Sequence, residues 1–316
     1  MHLIVPFAGT VSEAGRLALQ SLSLPHLDHL LGRLSPAARH GSDEFSLNAP
    51  HEQALAAAHG WAAGPGDALP FAAVAAAALN LPAGPAGQAA WGQLTPVHLD
   101  VGVEQVSLTE PAALALDEAG SRELLGAVRP LFETEGFTLH WAAPRQWLAT
   151  HALFDGLATA SLDRVAGRNI DPWLPDHRSA RLIRRLQNEV QMLLYTHPLN
   201  DRREAAGLAT VNSFWLSGCG RLPAPAPAPE PASAEPQIDD RLRAPALAED
   251  WAAWCEAWRA LDAGPISSLA RQGGGFTLTL CGERHAQAFA PAPQSLWQRV
   301  SATWRQPAAL AVLEAL

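Results

Sequence analysis

The chain has 316 residues, of which 48% are hydrophobic and 17% charged, and its net charge is −9. That apolar content suffices for one large or two ordinary domains. An acidic chain with so few charges lacks the basic face that a phosphate backbone requires, which excludes nucleic acid as a partner. The basic residues are all arginine, a mark of GC-rich coding rather than of a binding strategy. MHLIVPFAGT carries no basic leader segment, and the longest apolar run, Ala68 to Leu79, is broken by Pro70. It falls short of the ~20 residues of a membrane span, so no membrane association is expected. Cys219, Cys255 and Cys281 form no closely spaced pair, which suits a reducing compartment and a cytoplasmic location.

His2 to Phe7 is an apolar run that reads as a buried parallel strand, followed by a helix over about Ser12 to Leu22. HLDHLLGRL from His26, His51 to His59 and Phe71 to Leu79 read as three further helices. From Leu94 the pattern changes: VHLDVGVEQVSL alternates at period two, a helix follows over about Leu116 to Glu135, and FTLHWA and RQWLATH read as strands.

Next comes an amphipathic helix after Asp176, its expected N-cap. Leu182, Ile183, Leu186, Val190, Leu193 and Leu194 share one arc, with Arg181, Arg184, Arg185 and Asn188 opposite. Pro198, Asn200 and Asp201 are read as its stop. Thr210 to Leu216 is then a short strand closed by Gly218 and Gly220. LPAPAPAPEPASAEP (Leu222 to Pro236) reads as a polyproline spacer. Asp250 to Leu261 is a Trp-rich helix, and FTLTL after the Gly273 to Gly275 turn reads as the last core strand.

This order predicts an α/β fold with a mostly parallel sheet flanked by helices. Residues 1–90 form the first part of the core, 91–172 a small inserted α+β domain, 173–221 a core helix and strand, 222–247 the Ala/Pro-rich linker and 248–316 the rest of the core.

His197, Pro198, Asn200, Arg203, Gly207, Val211, Asn212, Gly218 and Gly220 follow one another as helix, turn, arginine, strand and glycine turn. Upstream stand Arg145, Asp163 and Gly167. On these residues the chain, over roughly Leu94 to Gly220, resembles the archaeal-type cofactor-independent phosphoglycerate mutases of the alkaline-phosphatase-like superfamily. Its HPLND and NSFWLSGCG wording resembles the RpfE-type regulatory proteins more closely still.

The resemblance implies an alkaline-phosphatase-like sheet, two divalent metals held by carboxylates and histidines, and a serine nucleophile. Gly41, Ser42, Asp43 and Glu44 resemble the nucleophile motif. The first strand, however, runs into Phe7, Ala8 and Gly9 where the family has Asp-Gly. Leu162 stands where the family has His, and only Glu283 and His285 remain of the later ligand pairs. The expectation is therefore no metal and no cofactor. The retained grip would be a ligand site of Arg145, Asp163, Arg203, Asn212, Gly218 and Gly220, guanidinium groups being the preferred hold on phosphate or carboxylate. The structural alternative is that Arg145 pairs with Asp163 and Arg203 caps carbonyls after its helix, with Cys219 a packed apolar residue. The function expected is non-catalytic and regulatory, with a small phosphorylated acid or a protein as partner. The alternative is a phosphoglycerate mutase or phosphatase type of phosphoryl transfer through Ser42.

Overall fold

A computed structural model describes residues 1–41, 43, 45–61, 68–82, 89–102, 105–174, 180–223, 235–271, 275–291 and 308–316. Two compact units divide the chain: Met1–Gly60 with Ala226–Leu316, and Trp61–Pro225. The first unit opens with β1 (His2–Val5), α1 (Glu13–Gln20), α2 (Pro25–Leu31), β2 (Leu34–Gly41) and α3 (Pro50–Ala58). The second holds α4 (Phe71–Ala78), β3 (Ala90–Val97), β4 (Leu99–Val101), β5 (Val106–Leu108), α5 (Glu118–Thr134), β6 (Thr138–Ala143), β7 (Gln146–Thr150), α6 (Leu162–Val165), α7 (Ala180–Tyr195), α8 (Pro198–Ala205) and β8 (Ser213–Arg221). The chain then returns to the first unit with β9 (Pro236–Ile238), α9 (Arg243–Leu247), α10 (Trp251–Leu261), α11 (Ser267–Arg271), β10 (Thr277–Cys281), β11 (His285–Pro291) and a helix at Ala308–Glu314. No described helix is long and apolar enough to cross a membrane.

In the first unit the sheet order is β2-β11-β10-β1-β9. β1 runs parallel to both neighbours, with Val5 opposite Leu280 and Ile4 opposite Ile238. Its residues alternate between two apolar layers. Leu3 and Val5 face α1, α2 and the tryptophans of α10, whereas Ile4 meets Ala54 of α3 with Cys281 and Ala286. Cover on both faces explains the unbroken apolar wording of this strand. Trp254 and Trp258 are fully buried and meet edge-on at 6.1 Å. Buried Asp262 fixes α2 by accepting from the backbone N–H groups of His26 and Leu27 at 3.2 and 2.7 Å.

Several expectations need correction. Although β1 is parallel on both sides, β10–β11 and β11–β2 are antiparallel, so the sheet is mixed rather than mostly parallel. FTLTL is a core strand but not the last, because the chain turns back as β11. The stretch expected as linker contains β9, which pairs with β1, and α9. Of the Ala/Pro run itself, residues 224–234 lie outside the described residues, as does Asp176.

The second unit carries an antiparallel sheet, β6-β7-β3-β8, and a β4–β5 hairpin. The helix and strand assigned to residues 173–221 of the core belong here, since β8 pairs along β3 from Val97 opposite Ser213 to Ala90 opposite Arg221. On one face the apolar arc of α7, including Ile183, Leu186, Val190 and Leu194, joins Leu124, Val128 and Phe132 of α5. Ala72, Ala73 and Ala76 of α4 join Trp91 and Leu148 on the other.

Pro198 does not end the helical region but starts α8 at its first position. His197 Nδ1 accepts from Leu199 N–H at 3.2 Å there, and Pro has no N–H to leave unsatisfied. Nor do Gly218 and Gly220 close β8. They carry it onward with φ +64° and +146°, beside a register shift opposite Trp91 and Gln93.

At Gly218 an added Cβ would lie 3.0 Å from the backbone nitrogen of Ala72. Gly218→Ala is expected to lower stability in urea unfolding by about 1–3 kcal/mol, combining a left-handed backbone with a tight approach. Gly126→Ala, in mid-α5 with nothing within 4 Å, is expected to raise it by about 0.5–1 kcal/mol.

Candidate functional site

Ligands of open α/β sheets bind beyond the carboxyl ends of the parallel strands. In the first unit those ends are Val5 of β1 and Cys281 of β10. The loop after β1 (Pro6 to Thr10) and the turn after β10 (Gly282 to Arg284) meet there, with Ala8 N–H bonded to the Cys281 carbonyl at 2.7 Å. β2 ends at the same edge, because Gly41 opposes His285. The flanks of Ser42 are thus brought to the edge that also carries Glu283 and His285. Ser42 and Glu44 themselves lie outside the described residues.

The chemistry at this edge is that of packing. Phe7, where the resemblance calls for a metal-binding carboxylate, takes φ +55°, which a bulky residue seldom adopts. It is buried, its carbonyl accepts from the Trp254 indole N–H at 3.0 Å, and its ring lies 5.6 Å from that of His51. Glu283 is engaged as a tie between loops: its Oε1 accepts from Thr10 Oγ1 at 3.2 Å and from Val11 N–H at 3.1 Å. Among the described residues there is no group of three or more His, Cys, Asp or Glu able to hold a metal ion. Among the described residues at this edge, the donor set of a two-metal site is not met.

The helix Ala308–Glu314 packs on α1 and α2 and brings its far end to this edge. Asp28 Oδ1 accepts from Ala309 N–H at 3.0 Å at its start, and Arg39 donates to the Ala315 carbonyl at 3.1 Å beyond it. The Leu316 oxygen accepts from the N–H groups of Arg284 and His285 at 3.0 and 2.7 Å. Leu313 and Leu316 are buried. Two glycines make room for them. A Cβ on Gly9 would lie 2.4 Å from the Leu313 carbonyl oxygen, and one on Gly282 would lie 2.6 Å from Leu316 Cβ.

The other sequence-derived candidates all lie in the second unit. Arg203 is buried, donating through Nε to the Ala209 carbonyl at 2.8 Å and through a terminal nitrogen to the Leu114 carbonyl. Burial lowers its pKa, opposed by the charge of Asp117. Asn212 grips the backbone of Leu99 with both ends of its amide, at 2.8 and 2.9 Å. Gly218 and Gly220 lie roughly 20 Å further along the chain at the strand rise, pressed against Ala72 and Pro70.

Arg145 is exposed in the β6–β7 turn, two strands from β8. Asp163, half-buried in α6, has an interaction partner within the protein. Cys219 is buried and its thiol is pushed up to about 12, chiefly by desolvation. It is packed rather than activated.

What sequence reading missed is the lock formed by Gly9 and Gly282 with Leu313 and Leu316. Both glycines stand beside motif positions, yet their close approach to Leu313 and Leu316 acquires meaning only from residues distant in the chain.

No family profile matches the chain, and no curated protein does. Among solved structures it is similar to the cofactor-independent phosphoglycerate mutase from Thermoplasma acidophilum DSM 1728, at 13% identity over 100% of this chain and 99% of that one, with a TM-score of 0.35. It is also similar to the PH0037 protein from Pyrococcus horikoshii, at 12% identity over 92% and 87% of the two chains, with a TM-score of 0.40. At these identities and TM-scores the matches carry no function to this chain.

Arg203→Ala would leave two carbonyls without their charged donor. A loss of about 2–4 kcal/mol in chemical denaturation is expected. Arg145→Ala, in an exposed turn, should change stability by less than about 0.5 kcal/mol.

Proposed function

We propose that this chain is a non-catalytic binding protein, regulatory in role, whose phosphoglycerate-mutase-like metal site has given way to apolar packing. One observation carries the reading: the carboxyl edge of the first sheet is filled by Phe7 and by the Leu313 to Leu316 segment, where a phosphotransferase would place metal carboxylates and substrate. A further fact supports it: Glu283 is engaged in tying loops together. The mutase descent and the regulatory role rest on the sequence resemblance, and a cytoplasmic setting rests on the cysteine content.

Of the two partner classes, the geometry favours a protein over a small phosphorylated acid. Arg203 and Asn212 have polar atoms engaged by backbone groups. A phosphorylated acid would find no convergent set of donors there.

A second reading has one observation in its favour. The pairing of Gly41 with His285 brings the residue before Ser42 to the edge where Glu283 and His285 stand, the edge from which a phosphoryl-transfer site would be built.

Metal analysis of the dialysed protein, with assays on 3-phosphoglycerate and on a phosphomonoester, separates the two readings. The expected result is no stoichiometric Mn, Zn or Mg and no turnover. Two retained metal equivalents, with turnover abolished by Ser42→Ala, would establish the enzyme reading instead.

A further inference from the structure

We infer that His151 is a proton-operated latch of the second unit, holding the short helical turn Ala152–Phe154 while its ring is neutral and releasing that turn once the ring is charged. The residue sits just past the end of β7. Its backbone N–H donates to the Ala90 carbonyl at 3.2 Å, which ties it to β3, and its Nδ1 accepts from Leu153 N–H at 3.0 Å. That second bond caps the turn.

A neutral imidazole has one bare nitrogen, and the bond from Leu153 requires it to be Nδ1, so the proton belongs on Nε2. Cδ2 and Nε2 lie 3.9 Å from the place of a Cβ on Gly136, and that side of the ring therefore faces the end of α5. An imidazolium donates from both nitrogens and accepts from neither. Once charged, the ring turns an N–H toward the Leu153 N–H, and the cap is lost.

The turn carries part of the core. Phe154 is fully buried, and its ring edge lies 3.0 Å from where a Cβ on Gly92 would stand, so it presses on β3. Its ring centre is 5.5 Å from that of Phe137, which in turn stacks on the His151 ring at 4.0 Å and 21°. His151 thus reaches the core twice, through the turn and through Phe137.

Its surroundings favour the neutral ring. Burial lowers the pKa of His151, while the backbone and the carboxylate of Glu135 oppose that effect. Glu135 ends α5 and pairs with Arg185 of α7 at 2.5 Å, and Arg185 also reaches Glu189 at 3.5 Å. Glu133 pairs with Arg129 within α5, and Asp155, after the turn, pairs with Arg221 of β8 at 2.9 Å. β3 and β6 bring the uncharged Ala90 and Phe137. A folded-state pKa below the ordinary value of about 6.5 means that the unfolded chain takes up the proton first. The contribution of the latch is whole above that value and is lost as pH falls through it toward the folded-state value.

The test is residue-resolved hydrogen exchange on the natural chain and on His151→Asn at about pH 7.5 and about pH 5, on either side of the ordinary histidine value, with each rate corrected for its intrinsic pH dependence. Asparagine keeps a capping acceptor at this position and takes up no proton. In the natural chain, protection of the Leu153 amide relative to that of Leu148 should fall at least about threefold at the lower pH. In His151→Asn the ratio should hold. A ratio that holds in the natural chain overturns the inference. So does a ratio that falls equally in the variant, because the response then belongs to another histidine of the unit, such as His98, His140 or His197.

If the variant does not fold, the imidazole nitrogen shifts of the natural chain decide. His151 should carry its proton on Nε2 at neutral pH, and its titration midpoint should coincide with the loss of Leu153 protection. A proton on Nδ1, or midpoints more than about one pH unit apart, overturns the inference.

Discussion

The parallel pairing of β1 with β9 and β10 is the constraint on which the first unit depends. His2 opposes both Pro236 and Thr277, so a four-residue strand joins three parts of the chain that are remote in sequence. A parallel strand buried on both faces has no hairpin to align it. Its register is set instead by which of Leu3, Ile4 and Val5 face which apolar layer. A slip by one residue would exchange the α3 side for the tryptophan side, replacing small contacts at Ala54 with large ones at Trp254 and Trp258. The bulk of α10 therefore helps specify the pairing of a strand about 250 residues away.

The same tryptophan determines what the end of that strand can do. By holding the Phe7 carbonyl, Trp254 stabilises a left-handed residue of a kind that costs about 1–3 kcal/mol when unsupported. The turn so formed directs Ala8 N–H to Cys281 and opens Gly9 toward Leu313. Active sites of α/β proteins keep such edges open, polar and strained for chemistry. Here the strain is retained but serves closure.

How much of this was legible in the sequence varies with the kind of signal. β1 and α7 were readable because their cause is local: an unbroken apolar run, and an apolar arc at helical spacing. β2 was not. It is an edge strand with exposed residues and Pro36, and an edge tolerates proline that a central strand would not. β11 was hidden by alanines, whose preference is against strands. α8 was missed because a proline read as a stop is also the best first residue of a helix. Of the polar residues in the mutase-like motif, Arg203 was readable as a cap on carbonyls after its helix, and its bond to the Ala209 carbonyl agrees. Its second partner, the Leu114 carbonyl, and the hold of Asn212 on Leu99 are contacts that no spacing in the chain reveals.

The discontinuity of the first unit also sets a clock during synthesis. His2 leaves the ribosome some 275 residues before Thr277, the residue it will oppose. At roughly 5–20 residues per second that is a wait of about 14–55 s. During this interval the whole of the second unit, all of whose paired strands lie within residues 61–225, can form its own sheet. β1 meanwhile presents Leu3, Ile4 and Val5 with neither neighbour made until β9 emerges at Pro236. An apolar strand left without partners for tens of seconds is a substrate for chaperones and a seed for aggregation. The yield of this protein is therefore expected to respond to elongation rate more than to the final stability of either unit.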